Sequence, residues 1–222
     1  MALKLNRVEN YKEFYGRNVD QMPLLIAEGR TPMSVAGLMD KRLEVMALED
    51  GKDDAFRASW VDNYFDTGDA ILYHPNGNIK VVRDAQALRE MTLKSKRAQG
   101  ALVLADRAYD VEEGPEFTVA QLSDMANGRL LTADEVKTHP IWNALARDED
   151  RLEAYTDRTF AEAKKRFNYD ENMGIYLGSA QNNLTMRSWF VLRLDVRSSA
   201  YGGVNLDNEY GRLVGVAPEA LK

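Results

Sequence analysis

Arg187-Ser-Trp-Phe-Val-Leu-Arg-Leu-Asp-Val-Arg197 is the longest stretch of this chain that reads as a β-strand. Strand side chains alternate between two faces, so Phe190, Leu192, Leu194 and Val196 share one side, while Arg187, Trp189, Val191, Arg193, Asp195 and Arg197 share the other. The first set predicts a core face. The second predicts a cationic face with a tryptophan in it. Arg212-Leu-Val-Gly-Val216 reads as a second, shorter strand, expected to lie antiparallel to the first. Their connection, Ser198 to Gly211, is far longer than the usual hairpin loop of about two to five residues, and ordered loops of such length are often functional.

Upstream, Asp148 to Phe167 has the strongest helical pattern, with Leu152, Tyr155, Phe160, Ala163 and Phe167 as one stripe. Its acidic first turn and its basic last turn both suit the helix dipole, and Glu162 sits four residues before Arg166 for an ion pair. Thr132-Ala-Asp-Glu135 has capping-box spacing, and His139-Pro140 breaks that helix and starts another. Pro75-Asn-Gly-Asn78 between Ala70–Tyr73 and Ile79–Val82 predicts a tight hairpin, because Asn-Gly readily supplies positive φ angles. Short strands are expected at Ala101–Leu104 and Gly174–Leu177, and short helices at 55–61, after Asp84 as cap, and from Phe117.

Thr31-Pro32 predicts a helix start, followed by a buried stripe of Val35, Leu38, Met39, Leu43 and Met46, with Lys41, Arg42 and Glu44 facing water. At the N-terminus Asn6 is expected to cap a short helix carrying Val8, Tyr11, Phe14 and Tyr15. These elements predict an α+β fold: helices packed against a small, mainly antiparallel sheet, with a central β-hairpin and a C-terminal antiparallel strand pair. Residues 1–222 are read as a single domain, with a candidate sub-structure boundary at Glu112-Glu-Gly-Pro-Glu116.

The composition narrows the function classes. With 45% hydrophobic and 29% charged residues the chain matches an ordinary soluble globular protein. No cysteine is present, which excludes disulfides, thiolate metal sites and a cysteine nucleophile, and two histidines cannot make a three-histidine site. The net charge of −6 argues against a surface devoted to nucleic acid. No run of eighteen apolar residues occurs, so a membrane span is not expected, and a cytoplasmic location is.

Two constellations carry candidate chemistry. Arg187, Arg193 and Arg197 can hold a carboxylate or phosphate in their planar forks, Trp189 can stack on a planar group, and the following loop adds Tyr201, Asp207 and Tyr210. The plainer reading is a solvated sheet face whose arginines are neutralised by neighbouring carboxylates. Asp62, Asp66 and Asp69 with His74 can instead be written as ligands of a divalent metal, although they do not follow a calcium-loop pattern and suit turn positions equally well. The leading expectation is therefore a non-catalytic binding or interaction protein using the arginine/aromatic surface, with no cofactor and with another protein or a small anionic ligand as partner. The alternative is a metal-assisted hydrolase of a phosphorylated or carboxylated substrate, built on the Asp62/Asp66/Asp69/His74 group. His74 and His139, each followed by proline, are read as structural or solvent-facing.

Overall fold

Nine consecutive residues, Phe65–Tyr73, are all buried and form the strand on which the sheet is built. The structure, a computed structural model, describes residues 10–48, 53–125 and 128–218. In chain order its N-terminal part comprises β1 (Tyr11–Tyr15), α1 (Asn18–Ala27), β2 (Thr31–Pro32), α2 (Val35–Met46) and α3 (Asp54–Val61). The middle comprises β3 (Phe65–Tyr73), β4 (Ile79–Val82), α4 (Gln86–Arg89), β5 (Arg97–Ala98), β6 (Ala101–Val103), α5 (Ala108–Val111) and β7 (Glu116–Phe117). There follow α6 (Val119–Asp124), α7 (Ala133–Thr138), α8 (Pro140–Ala146), α9 (Glu149–Phe167), β8 (Ile175–Tyr176), β9 (Thr185–Val191), β10 (Ala200–Tyr201) and β11 (Arg212–Val216).

The main path of the sheet runs β1-β11-β3-β9-β10-β8, with the shorter strands attached at its margins. Among the described residues eight of the ten pairings are antiparallel; β11 with β3 and β10 with β8 are parallel. The α+β class and the dominance of antiparallel pairing are as expected, but the sheet is large, with eleven strands among the described residues. Both faces are covered. Ile71, Tyr73, Trp189, Val191 and Val214 join a core shared with α2, α3, α7, α8 and α9. Ala70, Leu72, Met186 and Leu213 join a second core with Val19, Met22 and Leu25 of α1 and Leu88 of α4.

The helical starts follow their local signals. Thr132 and Glu135 form the capping box of α7, His139 caps α8 with Pro140 in its first turn, and the Asp148 side chain caps α9. The central hairpin pairs Ala70 with Val82 through Tyr73 with Ile79.

Several expectations are overturned, each by a tertiary contact. The N-terminal segment is a strand, because Tyr11–Tyr15 pairs residue for residue with Val216–Arg212; Asn6 and Val8 lie outside the described residues. Thr31-Pro32 pairs with β11, so α2 begins three residues later under a Ser34 cap. Lys41 and Arg42 are buried, not solvated. Asp84 takes a left-handed conformation and Ala85 is the cap of α4. Glu162 pairs with Arg57, and Arg166 with Asp62.

The long strand ends at Val191, where the chain turns through a 3-10 segment, Leu194–Val196, and left-handed Arg197 and Ser198. The turn returns the chain as β10, which pairs Ala200 with Val191. Strands β9 and β11 do not pair with each other; they lie on opposite sides of β3.

Nor is the Arg187/Trp189 face cationic and exposed. Burying a tryptophan removes about 150–250 Å² from water, worth about 4–6 kcal/mol at the usual area coefficient. That outweighs the cost of taking Arg187 inside once its guanidinium is hydrogen-bonded to three oxygens, so Trp189 and Val191 turn inward and Arg187 goes with them.

Candidate functional site

The residues singled out in the sequence separate into three groups. Arg187 and Trp189 are buried: the Arg187 guanidinium donates to the carbonyls of Val204 and Gln99 and to Asn205 Oδ1, and the Trp189 indole donates to the Ala70 carbonyl. Neither presents a surface to a ligand. Arg193 and Arg197 lie in the β9–β10 turn beside the end of α9; Arg193 pairs with Asp195 at 2.7 Å, and Arg197 lies 3.3 Å from the Tyr169 ring centroid. Tyr201 lies where that turn rejoins the sheet, and Asp207 and Tyr210 lie on the loop that follows it.

At that end of the sheet the strand order places aromatic side chains in succession. Tyr176 of β8 and Tyr201 of β10 stack with centroids 4.4 Å apart and planes 8° from parallel. Tyr201 is in register with Phe190 of β9, and Phe190 packs 5.2 Å from Tyr64, just before β3. The Arg212 guanidinium of β11 lies 5.0 Å from the Tyr64 ring and 5.6 Å from that of Tyr15, its register partner on β1. Five strand-to-strand steps span about 24 Å. Tyr64, Tyr176, Phe190 and Tyr201 are half-buried, and Tyr15 is exposed.

The row is held from beneath. Arg212 is buried, pairs with Glu13 at 2.8 Å and also bonds Asn63. The Tyr73 phenol donates to the Gly202 carbonyl and accepts from the Gly178 amide, tying together the loops that flank β8 and β10. Those loops approach to backbone contact: a Cβ on Gly203 would lie 3.2 Å from the Gly178 Cα. The adjoining 202–211 loop exposes Asp207, Asn208, Glu209 and Tyr210 and is pinned by the Val19 amide on the Leu206 carbonyl and the Gly16 amide on the Gly211 carbonyl.

Asp66 is buried at this end of β3, in register with Phe190. Its Oδ2 accepts the Arg212 amide at 2.8 Å, while its Oδ1 has no partner among the described residues. Burial raises its pKa to about 6, against the opposing hydrogen bonds from Arg212 and Asn18. The folded state therefore holds this proton more tightly than the unfolded chain. Stability from this group falls as pH rises from about 4 to about 6, by about 3 kcal/mol in all, and stays lost above that. Asp66→Asn is expected to flatten this part of the profile. Urea denaturation of both proteins at pH 4 and pH 7 measures it, and an unchanged difference between the two pH values contradicts the assignment.

The proposed metal ligands do not converge. Asp62 pairs with Arg166, and Asp69 accepts from the Val35 and Asp84 amides and from Arg147 at 2.6 Å. His74 Nδ1 accepts the Asn76 amide, and its ring packs edge-on to Tyr109. Asp66 and Asp69 stand on a buried strand, not on a loop, and no group of three or more His, Asp and Glu side chains able to hold a metal occurs among the described residues. His139 is a buried helix cap with its pKa pulled down to about 4 by burial, a structural position as expected.

Sequence reading missed Tyr15, Tyr64, Tyr176, Phe190 and Arg212 as a group. Each comes from a different strand or strand end, and only the register between strands brings them together.

No helix among the described residues is long and apolar enough to cross a membrane. No protein-family model matches the sequence, and no curated protein matches it. A solved structure does: it is described as the accommodation of massive sequence variation in Nanoarchaeota by the C-type lectin fold. The two superpose with a TM-score of 0.68 over 97% of this chain and 100% of that one, at 17% identity. The chain thus has the C-type lectin fold.

Proposed function

We propose that this chain acts, as one 222-residue domain, as a non-catalytic binding protein of the cytoplasm whose recognition surface is the aromatic row and the adjoining 202–211 loop. The observation that carries the reading is the row itself: Tyr176, Tyr201, Phe190, Tyr64, Arg212 and Tyr15 in succession across one end of the sheet. Tyrosine supplies a large amphipathic contact surface at small entropic cost, and the exposed loop residues Asp207, Asn208 and Tyr210 supply adaptable hydrogen bonds around it. Arg193 and Arg197, on the turn leading from Phe190 to Tyr201, form a flanking rim. Of the two partner types, a protein surface fits better than a small anion, since Arg187 is buried and Arg193 and Arg197 already have partners. The nanoarchaeal protein of the same fold accommodates massive sequence variation. Half-exposed rings on rigid strand ends suit that property, because they can change without touching either core.

Site-directed photo-crosslinking tests the proposal. p-Benzoylphenylalanine at Tyr210 is expected to capture a partner that is not captured from Glu153, an exposed position on α9. Wild-type protein should compete for the capture, the Tyr176→Ala/Tyr201→Ala variant should not, and Arg193→Ala/Arg197→Ala should compete weakly. Equal capture from both positions, or undiminished competition by the tyrosine variant, contradicts the reading.

A further inference from the structure

At the opposite end of β1, about 13 Å from Tyr15 along the strand, Tyr11 borders a cavity of about 630 Å³ that the aromatic row does not reach. That is the size of a small-molecule site, for which about 300–1,000 Å³ is usual. One wall is a stripe of α2, Gly37, Asp40, Lys41 and Glu44, whose spacing places all four on one helical face. Seven residues separate Gly37 from Glu44, a rise of about 10 Å.

Each end of this wall carries two cations and two carboxylates, and the ends differ in which of these is left open to a ligand. At the Gly37 end, Asp69 accepts the Val35 amide and pairs with Arg147, which also holds Asp84 at 2.7 Å. Arg89 completes this end; its Nη2 lies 3.7 Å from Asp84, beyond hydrogen-bond reach, and its buried Nε has no hydrogen-bond partner among the described residues. Its side chain lines the cavity and is about one-third exposed, so its guanidinium is available to an anion, while Asp84 stays paired with Arg147. The positive end of the α2 dipole reinforces the same preference.

At the Glu44 end the carboxylates of Asp40 and Glu44 are more than half exposed. Glu44 holds Lys41, whose ammonium lies among the rings of Tyr11, Phe56 and Trp60, and Arg151 bonds one oxygen of Asp40. The Tyr11 phenol has its pKa raised, chiefly by burial and then by Glu44 and Asp40, so it faces both carboxylates as a neutral donor. Each carboxylate oxygen can accept more than one hydrogen bond, so these exposed groups, which line the cavity, can still accept from a ligand.

We propose that this cavity binds an extended zwitterion of tripeptide length, its carboxylate on Arg89 and its ammonium between Asp40 and Glu44. Three extended residues reach about 10 Å, comparable with the rise of the α2 wall from Gly37 to Glu44. The site is separate from the aromatic row and does not depend on the reading given for it.

Calorimetric titration of the full chain with triglycine, N-acetyl-triglycine and triglycine amide tests the assignment. Triglycine is expected to bind saturably at one site, and blocking either terminus to weaken it about tenfold or more. Arg89→Gln should weaken triglycine to the level of the amide and leave the amide unchanged. Asp40→Asn with Glu44→Gln should do the same for the acetylated peptide, an arm that does not rely on Arg89. The proposal is overturned if triglycine gives no saturable heat, if the three peptides bind alike, or if both variants bind triglycine as the wild type does.

Discussion

Arg42→Ala is expected to lower the unfolding free energy by about 3–5 kcal/mol, from the loss of several charge-assisted hydrogen bonds and the acceptors left bare. Arg42 stands on α2 and is almost completely buried. Its Nε donates to the Trp60 carbonyl at 3.1 Å, Nη1 to the Tyr155 hydroxyl at 3.0 Å, and Nη2 to the carbonyls of Asn63 at 2.8 Å and Leu192 at 3.0 Å. One side chain therefore ties α2 to the end of α3, the approach to β3, the middle of α9 and the end of β9. The guanidinium also lies 5.9 Å from the Phe65 ring centroid. Alanine would leave several buried oxygens without donors and a cavity among three helices and the sheet. Lysine is not expected to rescue it, because an ammonium cannot reproduce the planar spread of donors. Guanidinium denaturation measures the loss, and a decrease below about 1 kcal/mol would show that these bonds are replaced by water at little cost.

Arg42 also illustrates what was legible in the sequence. Its place on an amphipathic helix could be read from Val35, Leu38, Met39 and Met46, and the helix formed, beginning three residues later than expected. Its burial could not, because an arginine on the polar side of such a stripe looks solvated until a second layer of helices covers that side. Many short-range signals held: the Asn-Gly hairpin, the capping box at Thr132, the break at His139-Pro140, and the acidic start and basic end of α9; the Thr31-Pro32 helix start, the Asp84 cap and the Glu162–Arg166 pair gave way to tertiary partners. Each depends on residues within a few positions of one another. Signals that require knowing the neighbours failed. Alternation in Arg187–Arg197 distinguished two faces but could not say that both are buried, as they are when helices cover a sheet on both sides. The aromatic row was illegible for the same reason: Tyr15 meets Arg212, and Asp66 meets Phe190, only through strand registers spanning most of the chain. Tyr201, Asp207 and Tyr210 were legible in part, since the length of their loop marked it.

Arg187→Ala is expected to destabilise the protein by about 2–4 kcal/mol and to release the loop that carries Tyr210. The sequence suggests a ligand clamp at this position; the structure uses it as a bolt. Its Nη1 donates to Asn205 Oδ1 at 2.6 Å and to the Val204 carbonyl at 3.2 Å, and its Nη2 to the Gln99 carbonyl at 2.6 Å. Strand β9 is thereby joined to the 202–211 loop and to the β5–β6 turn. That turn fits only because Gly100, at φ +75°, has no Cβ; one there would lie 2.4 Å from the Asn205 side chain. The Leu206 amide then bonds the Gly100 carbonyl, and the Leu206 carbonyl accepts the Val19 amide. Burial lowers the Arg187 pKa. Once the arginine is gone, the amides of Val19 and Leu206 should exchange with deuterium faster than the amides of the central hairpin. Lysine should restore neither stability nor protection, because it cannot reach both the loop and the turn with a planar fork. Hydrogen exchange followed by mass spectrometry separates the outcomes: unchanged protection at Val19 and Leu206 would mean that the loop is held without Arg187. Released protection would make the Tyr210 loop an ordered surface only by virtue of a buried charge two strands from the edge of the aromatic row.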